Sequence, residues 1–281
     1  MDILCFGSHW KIELDIWLFE ITKHTTSTMI GTHIRKSGSF TKSLQAFFSS
    51  ENVGRPVQIF SGSPKFWKRP KVTPEQQKEV LDYITEHKHQ VFVHSIYLIN
   101  LSWDPTSFEQ KALPCIQWEL RNGKAMGFKG VVVHCGKSCK LSLEEAQTNM
   151  LINIRRAMEA ASPECPLLLE TSSGQGTEMC WAFDSFKKFY ANFTEEEKTR
   201  LRICIDTCHV FAAGHDPLKF IQDWEEAFSN TLVLVHFNDS VECCGCKKDR
   251  HERPGKGKIG LEKMTSIAKW CMEREIPLVM E

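Results

Sequence analysis

Short apolar runs recur along the chain from about residue 30 to its last residue, and most lack polar alternation. Runs such as VVV, LLL and LVLV are typical of strands that are buried on both faces, as in a parallel sheet. The pattern predicts eight strands, at Ile30–His33, Val57–Phe60, Val91–His94, Gly130–His134, Leu167–Glu170, Ile203–Asp206, Leu232–His236 and Pro277–Glu281.

Helical patterns separate these strands, and three of them have clear start signals. A capping box with proline at the first helical position begins at Thr73, and the same capping spacing recurs at Ser142 and Thr194. Further helices are expected near 41–49, 106–122, 218–228 and 261–273, with Pro114 interrupting the second of these.

The alternation of strand and helix, with eight strands, predicts a (β/α)₈ TIM barrel. A doubly wound open sheet is the alternative, but no glycine-rich phosphate-binding sequence follows any strand. Residues 29–281 are expected to form one barrel domain, preceded by an extension over residues 1–28.

Composition narrows the class of protein. The 281 residues are 42% hydrophobic and 25% charged, as in an ordinary globular chain. Lys+Arg and Asp+Glu both count 35, which argues against a generic binder of nucleic acid but allows a local basic surface. No apolar run is long enough to span a membrane, and acidic residues interrupt the apolar stretch near the start, unlike a secretory signal.

Twelve cysteines are scattered through a chain whose size does not require disulfides. We therefore expect reduced thiols in an intracellular protein, without specifying nucleus, cytoplasm or organelle. Cys243, Cys244 and Cys246 could instead bind a metal, although they lack the paired spacing of a zinc ribbon.

The last residues of the predicted strands suggest the chemistry. In a parallel barrel the carboxyl ends of all strands meet on one face, where active sites are built. Strands three to eight end in an imidazole or a carboxylate, and three more such residues follow in loops. These nine candidates are His94, His134, Glu170, Asp206, His209, His236, Asp249, His251 and Glu281.

Four carboxylates crowded at one site would be costly without cations. Imidazoles with carboxylates suit catalytic zinc or manganese. Nine ligands are too many for one ion and suit three if one carboxylate bridges. Three divalent ions against four carboxylates leave about two positive charges, which would attract an anion such as a phosphodiester.

Several segments resemble the endonuclease IV type of apurinic/apyrimidinic (AP) endonucleases, AP endonuclease family 2, from about Met29 onward. The matching segments include VHSIYLINL, VVVHCG, LLLETSSGQGTEM, CIDTCHVFAAGHD, VHFNDS and DRHERPGKGKIG. The resemblance implies a TIM barrel with three zinc ions, with Mn²⁺ as an alternative at one site. It further implies cleavage of double-stranded DNA 5′ to abasic sites, which leaves a 3′-hydroxyl and a 5′-deoxyribose phosphate, and trimming of blocked 3′ ends.

By this resemblance the ligands divide among three ions. His94 and His134 would hold the first, with Glu170 bridging to the second. Asp206, His236 and Glu281 would complete the second; His209, Asp249 and His251 would hold the third. Glu170, Asp206 and Glu281 are the expected catalytic residues, and His33 is expected to support the ligands without binding metal.

The resemblance also indicates DNA contacts. Tyr97 matches an aromatic position that enters the helix at the lesion. Lys65 stands where the family more commonly has arginine, whose planar fork stacks better, so insertion would be weaker. Trp67 and Arg250 are expected to contact DNA as well, within the basic segments Lys65–Lys71 and Lys247–Lys258.

The sequence departs from the family pattern at two points, and two competing functions stay open. Pro254 replaces a usual aliphatic residue, and the sequence stops at Glu281. The eighth strand would then lack its helix, and residues 1–28 could cover that flank; a truncated product or a start at Met29 are alternatives. A xylose-isomerase-like sugar isomerase or epimerase, or an inactive DNA-binding barrel, are the rival functions. We expect a monomer.

Overall fold

The computed structural model describes residues 29–48 and 52–281 of the chain. Ten strands are present in this part: β1 (Ile30–Ile34), β2 (Val57–Phe60), β3 (Val91–His94), β4 (Val131–His134), β5 (Leu167–Glu170), β6 (Leu201–Asp206), β7 (Leu232–His236), β8 (Asp239–Ser240), β9 (His251–Glu252) and β10 (Leu278–Met280). The proposed role of residues 1–28 lies outside the described residues.

Nine helices lie in the same part of the chain: α1 (Phe40–Phe47), α2 (Pro74–Glu86), α3 (Ala112–Ala125), α4 (Leu143–Met158), α5 (Phe183–Tyr190), α6 (Glu195–Arg200), α7 (Thr207–Ala212), α8 (Pro217–Ala227) and α9 (Leu261–Met272). None of these helices is both long and apolar enough to cross a bilayer.

Eight parallel strands close into a barrel in the order β1, β10, β7, β6, β5, β4, β3, β2. All eight predicted strands are present, and the TIM-barrel prediction is confirmed. The short strands β8 and β9 pair antiparallel outside the barrel, with Ser240 opposite His251. This hairpin encloses the segment that carries Asp249.

The capping predictions are confirmed by hydrogen bonds at the helix starts. Thr73 and Thr194 each accept a bond from a backbone N–H three residues on and form a capping box, and Ser142 caps α4. The predicted helix near 106–122 begins only at Ala112, so Pro114 lies in its first turn, where proline is tolerated. Helices α5 and α7 were not predicted.

One layer of side chains fills the barrel directly below its carboxyl-terminal end. It consists of Phe92, Val132, Leu168, Cys204, Leu234 and Val279, all at most 1% exposed. A second, larger apolar cluster includes barrel residues such as Val93, Val133 and Leu169 together with helix residues. Alternate strand residues therefore face the interior and the helices, as the pleat requires.

Candidate metal centre

The six strand-end residues stand two positions after the six members of the interior layer. Thus His94 follows Phe92 and Glu170 follows Leu168 by two positions. Because side chains alternate along a strand, the residue two positions on shares the same face. This periodicity brings the predicted strand-end groups together above the apolar layer: His94, His134, Glu170, Asp206, His236 and Glu281.

Potential ligand atoms form three groups that match the predicted division. They are His94–His134–Glu170, then Glu170–Asp206–His236–Glu281, and His209–Asp249–His251, each with its donor atoms within 4.8 Å of one another. The structure therefore assembles all nine predicted residues, although their role as ligands stays a prediction. The cysteines at 243, 244 and 246 form no such group within the described part of the chain.

Glu170 lies at the centre of this arrangement and is fully buried. Its Oε2 atom is 3.2 Å from Nε2 of His94 and 3.5 Å from Nδ1 of His134. Its Oε1 atom is 3.0 Å from Nδ1 of His236 and 3.5 Å from Nδ1 of His209. One carboxylate thus faces imidazoles of all three groups, which is the geometry expected of a bridging ligand.

The local fold of the sixth strand explains the spacing of Asp206 and His209. Helix α7 begins directly after β6, and Asp206 is its N-cap, with Oδ1 accepting from the His209 amide at 2.9 Å. A capping side chain bonds the backbone N–H three residues on, so the two residues are held on one turn. Oδ2 of Asp206 faces the cluster, 3.6 Å from Nε2 of His251.

Two of the imidazoles each use one ring nitrogen to bond a backbone oxygen outside the cluster. Nδ1 of His94 donates to the Ser95 carbonyl at 2.6 Å, and Nδ1 of His209 to the Thr171 carbonyl at 2.8 Å. A carbonyl only accepts, so the N–H must lie on that nitrogen. The other nitrogen then faces a carboxylate, at 3.2 Å for His94–Glu170 and for His209–Asp249.

The pKa values of these groups show strong mutual stabilisation of charge. Burial disfavours the charged form of His94, but its hydrogen bond to Glu170 and the charge of that carboxylate outweigh this and raise its pKa to about 9. Burial likewise opposes the charging of His251, but Asp206 and Asp249 raise its pKa to about 9. The pKa of Asp249 is lowered despite burial, because His209 and His251 are close. The pKa values of Glu170 and Glu281 are lowered as well, despite burial, by the imidazoles beside them, so these three carboxylates are anionic and attract cations.

Sequence reasoning missed two residues that support the cluster. Gln58 is fully buried on β2, and Asn238 donates from Nδ2 to Oδ2 of Asp206 at 2.7 Å. Nε2 of His236 donates to Oε1 of Gln58 at 2.9 Å. Gln58 could have been found from the sequence, because a glutamine inside the apolar run VQIF is unusual. Nδ1 of His33 lies 3.2 Å from Oε1 of Glu281, and His33 belongs to none of the ligand groups; its supporting role stays a prediction.

Cys208 also comes within ligand distance of Asp206 and His251. Burial raises the pKa of its thiol to about 12, so the protonated form prevails and metal binding would have to displace that proton. The described cysteines are free thiols.

Asp239 holds the loop that follows the β8–β9 hairpin. Its carboxylate accepts hydrogen bonds from the amides of Gly255, Gly257 and Ile259 at 3.0, 3.1 and 2.8 Å. This buried carboxylate fixes a glycine-rich backbone beside the strand that carries His251. Pro254 has no amide hydrogen to donate, and the bonds to Asp239 come from other residues of the loop.

The predicted DNA-contact residues have different surroundings. Tyr97 is 57% exposed, with its ring 5.6 Å from that of His94 and 6.0 Å from that of His134. Lys65 and Arg250 are exposed, whereas Trp67 is half-buried and packs against the core. Within the basic segment Lys65–Lys71, Arg69 is not a surface cation, because its guanidinium pairs with buried Glu119 at 3.2 Å.

Comparison with known proteins agrees with this architecture. Residues 55–269 match the model of a family described as a xylose isomerase-like TIM barrel. The chain is 30% identical over 264 residues to "Probable endonuclease 4" of Streptomyces coelicolor, covering 90% of this chain and 88% of that protein. The crystal structure of endonuclease IV from Thermus thermophilus is 25% identical, with a TM-score of 0.75 over 90% of this chain and 91% of that one.

A D-tagatose 3-epimerase-like protein also superposes, with a TM-score of 0.69 over 90% of this chain and 89% of its own, but at 16% identity it shares the fold alone. The family match, the extent of the alignment with endonuclease 4 and the arrangement of the candidate ligands agree. The chain belongs to the endonuclease IV family of AP endonucleases within the xylose isomerase-like TIM barrels.

Proposed function

We propose that this protein hydrolyses the phosphodiester bond 5′ to abasic sites in double-stranded DNA, leaving a 3′-hydroxyl and a 5′-deoxyribose phosphate. It would also trim blocked 3′ ends. The observation that carries the proposal is the convergence of three ligand groups on the shared carboxylate of Glu170. Family membership supports this reaction class, and clustered divalent ions are a recurring device for phosphodiester hydrolysis.

The residues present fit three divalent ions, proposed as zinc, with manganese as an alternative at one site. If these imidazole nitrogens carried no proton, their lone pairs would face those of carboxylate oxygens at 3.0–3.2 Å, which is repulsive. Either imidazolium protons or cations must lie between them. Outward hydrogen bonds from the other ring nitrogens are the usual support of metal-bound histidine.

The ions, when bound, would neutralise phosphate charge and make a water molecule acidic at neutral pH. The protein's own groups would do the positioning. Glu170, Asp206 and Glu281 would hold the ions that bind the phosphate, and His209, Asp249 and His251 would hold the third ion. No serine, cysteine or lysine nucleophile is required for such a reaction.

Substrate recognition would depend on loops after the strands. Exposed Tyr97 beside His94 would contact the lesion, and Lys65 and Arg250 would contact phosphates. Trp67 would act mainly by packing beneath the loop that carries Lys65. All nine proposed ligands come from one chain, which supports a monomer as the active species.

The third ligand group favours this proposal over a sugar isomerase or epimerase, because such an enzyme needs no third metal site. Exposed Tyr97 supports the nuclease as well. An inactive DNA-binding barrel would be expected to lack part of the ligand set, whereas nine of nine predicted residues converge.

Incision of a duplex that contains a single abasic site tests the proposal. Purified protein with zinc or manganese should cut 5′ to the lesion, and the products should carry a 3′-hydroxyl. The matched control is Glu170→Gln, which keeps the shape of the side chain and removes its charge. Failure of the wild-type chain, shown by metal analysis to be loaded, to cut this duplex would defeat the nuclease assignment.

A further inference from the structure

The loop Ser61–Arg69, between β2 and α2, is fixed by the buried guanidinium of its own last residue, Arg69. Nη1 of Arg69 donates to Oγ of Ser61 at 2.9 Å and to Oε1 of Glu119 at 3.2 Å. Nη2 of Arg69 donates to the carbonyls of Ser63 and Phe66. A guanidinium that bonds several loop oxygens fixes the backbone, because each bond restrains a different part of the loop.

Glu119, on α3, is the anchor of this arrangement and has a fully buried side chain. It accepts hydrogen bonds from Oγ of Ser61 at 2.7 Å and from Oγ of Ser95 at 2.7 Å. Ser95 directly follows His94, whose Nδ1 donates to the Ser95 carbonyl. The loop is therefore tied to the same strand end that supplies a proposed ligand.

Phe66 lies on the outer side of this loop and is 66% exposed. Its amide donates to the Ser63 carbonyl at 3.4 Å, and its carbonyl accepts from Arg69, so the backbone on both sides of the ring is bonded. The ring itself remains accessible to solvent. A large aromatic side chain on an ordered backbone loses little further entropy when it binds.

The loop of Phe66 borders the candidate site. The Tyr97 amide donates to the Pro64 carbonyl at 3.2 Å, which joins the two loops. Tyr97 in turn packs edge-to-face against Phe60, at 5.3 Å, and near His94. Lys65 and Lys68, both exposed, flank Phe66 and supply positive charge toward a polyanion.

We propose that Phe66 stacks on the DNA base next to the abasic position, and that Arg69 and Glu119 are the positioning residues that present it. This assignment rests on the proposed function. An abasic site leaves the neighbouring base without one stacking partner, and an aromatic ring can fill that place. Stacking by Phe66 would compensate for Lys65, whose ammonium cannot stack as a guanidinium does.

Phe66→Ala tests the assignment in the metal-loaded enzyme, with Phe66→Trp as the rescue variant. Phe108→Ala is the matched control, since Phe108 is a fully exposed phenylalanine of another loop. We expect Phe66→Ala to raise the KM for incision of the abasic duplex about tenfold with kcat unchanged, as for loss of one base–aromatic stack. Phe66→Trp and Phe108→Ala should retain the wild-type KM.

A spectroscopic readout distinguishes stacking from a general effect on the loop. With 2-aminopurine beside the abasic site, binding of the wild type should quench its fluorescence, and Phe66→Ala should not. Equal KM and equal quenching for wild type and Phe66→Ala would overturn the role of Phe66 while leaving the nuclease assignment intact. A loaded wild-type protein that neither cuts nor prefers abasic DNA would overturn both.

Discussion

Gln58 donates a hydrogen bond from Nε2 to Oε1 of Glu281 at 2.6 Å, which joins β2 to the residue that follows β10, past the intervening strand β1. The same amide accepts from Nε2 of His236 through Oε1, at 2.9 Å. Glutamine therefore orients one imidazole and one carboxylate of the second ligand group. The imidazole nitrogen left facing the group is Nδ1, 3.3 Å from Oε2 of Glu281.

Replacing Gln58 by leucine should weaken metal binding while the barrel remains folded. Loss of an outer hydrogen-bond partner of a metal ligand typically costs about tenfold to a hundredfold in affinity. A competition titration with a zinc chelator measures this. Gln117→Leu, on the outer helix α3, is the control and should bind zinc like the wild type. Equal zinc affinity for Gln58→Leu would show that the hydrogen bonds do not support the ligands.

The positions of the strand-end residues could be predicted because a TIM barrel gives them a common direction. The apolar runs and the residues that end them are local signals, and the closure of the barrel brings them together. The role of Gln58 could not be derived in the same way. Its partners Glu281 and His236 are 223 and 178 residues away in the sequence, so no local pattern indicates the contact.

Arg69 illustrates a second limit of sequence reasoning. In the segment KFWKRPK it looks like one of several surface cations. Its partner Glu119 is 50 residues away on α3, on a face that the helix pattern alone does not pair with this loop. Only the packing of α3 against the loop removes Arg69 from the surface and leaves Lys65 and Lys68 exposed.

Glu119→Ala should destabilise the protein by about 3 kcal/mol, because it leaves the Arg69 charge buried without its partner. Thermal or denaturant unfolding measures the loss. Glu109→Ala, an exposed carboxylate of a nearby loop, should leave stability unchanged. The double variant Arg69→Met with Glu119→Leu should recover much of the loss, since neither charge then remains. Unchanged stability of Glu119→Ala would contradict the importance of the pair.

Zinc should raise the melting temperature of the metal-free protein. A ligand that binds only the folded state stabilises it by about 4 kcal/mol when its concentration is a thousandfold above Kd. Neutralising the carboxylate repulsion of Glu170, Asp206, Asp249 and Glu281 is the physical source of this gain. Glu170→Gln, which removes the proposed shared ligand, should show a smaller shift, and magnesium should have little effect on either protein. Equal shifts for both proteins would mean that zinc binds elsewhere.

Gly257→Ala should impair the loop that Asp239 holds. An added Cβ would lie 2.5 Å from Oδ1 of Asp239 and would also meet the Ser240 carbonyl, and the latter backbone cannot yield cheaply. The loop would shift away from β9 and His251, so one of the three proposed metal ions should be lost with modest change in melting temperature. Metal counting after desalting is the measurement. Gly62→Ala is the control: like Gly257 it has no positive φ, and its added Cβ would come no closer than 3.4 Å to another atom, which is ordinary van der Waals contact.

His89 should make the stability of the protein fall in mild acid, independently of the metal site. Its ring stacks on Phe48 with centroids 3.4 Å apart, and both ring nitrogens lack a hydrogen-bond partner among the described residues. Burial, aided by the nearby His87, lowers the pKa of His89 to about 4. Tyr83 is the other titratable group packed against this ring.

The sign follows from the lowered pKa. The unfolded chain takes up a proton near the ordinary histidine pKa, whereas folded His89 stays neutral until about pH 4. Its contribution to stability is therefore full above about pH 7 and falls as the pH drops, by at most about 1.4 kcal/mol per pH unit.

His89→Phe keeps the stack and removes the titration, so its free energy of unfolding should decline less between about pH 7 and about pH 5 than that of the wild type. His87→Phe is the control and should retain most of the decline, because it leaves the buried His89 ring in place. Denaturant titrations at each pH measure these slopes, and a decline in His89→Phe as steep as in the wild type would assign the acid sensitivity to other groups.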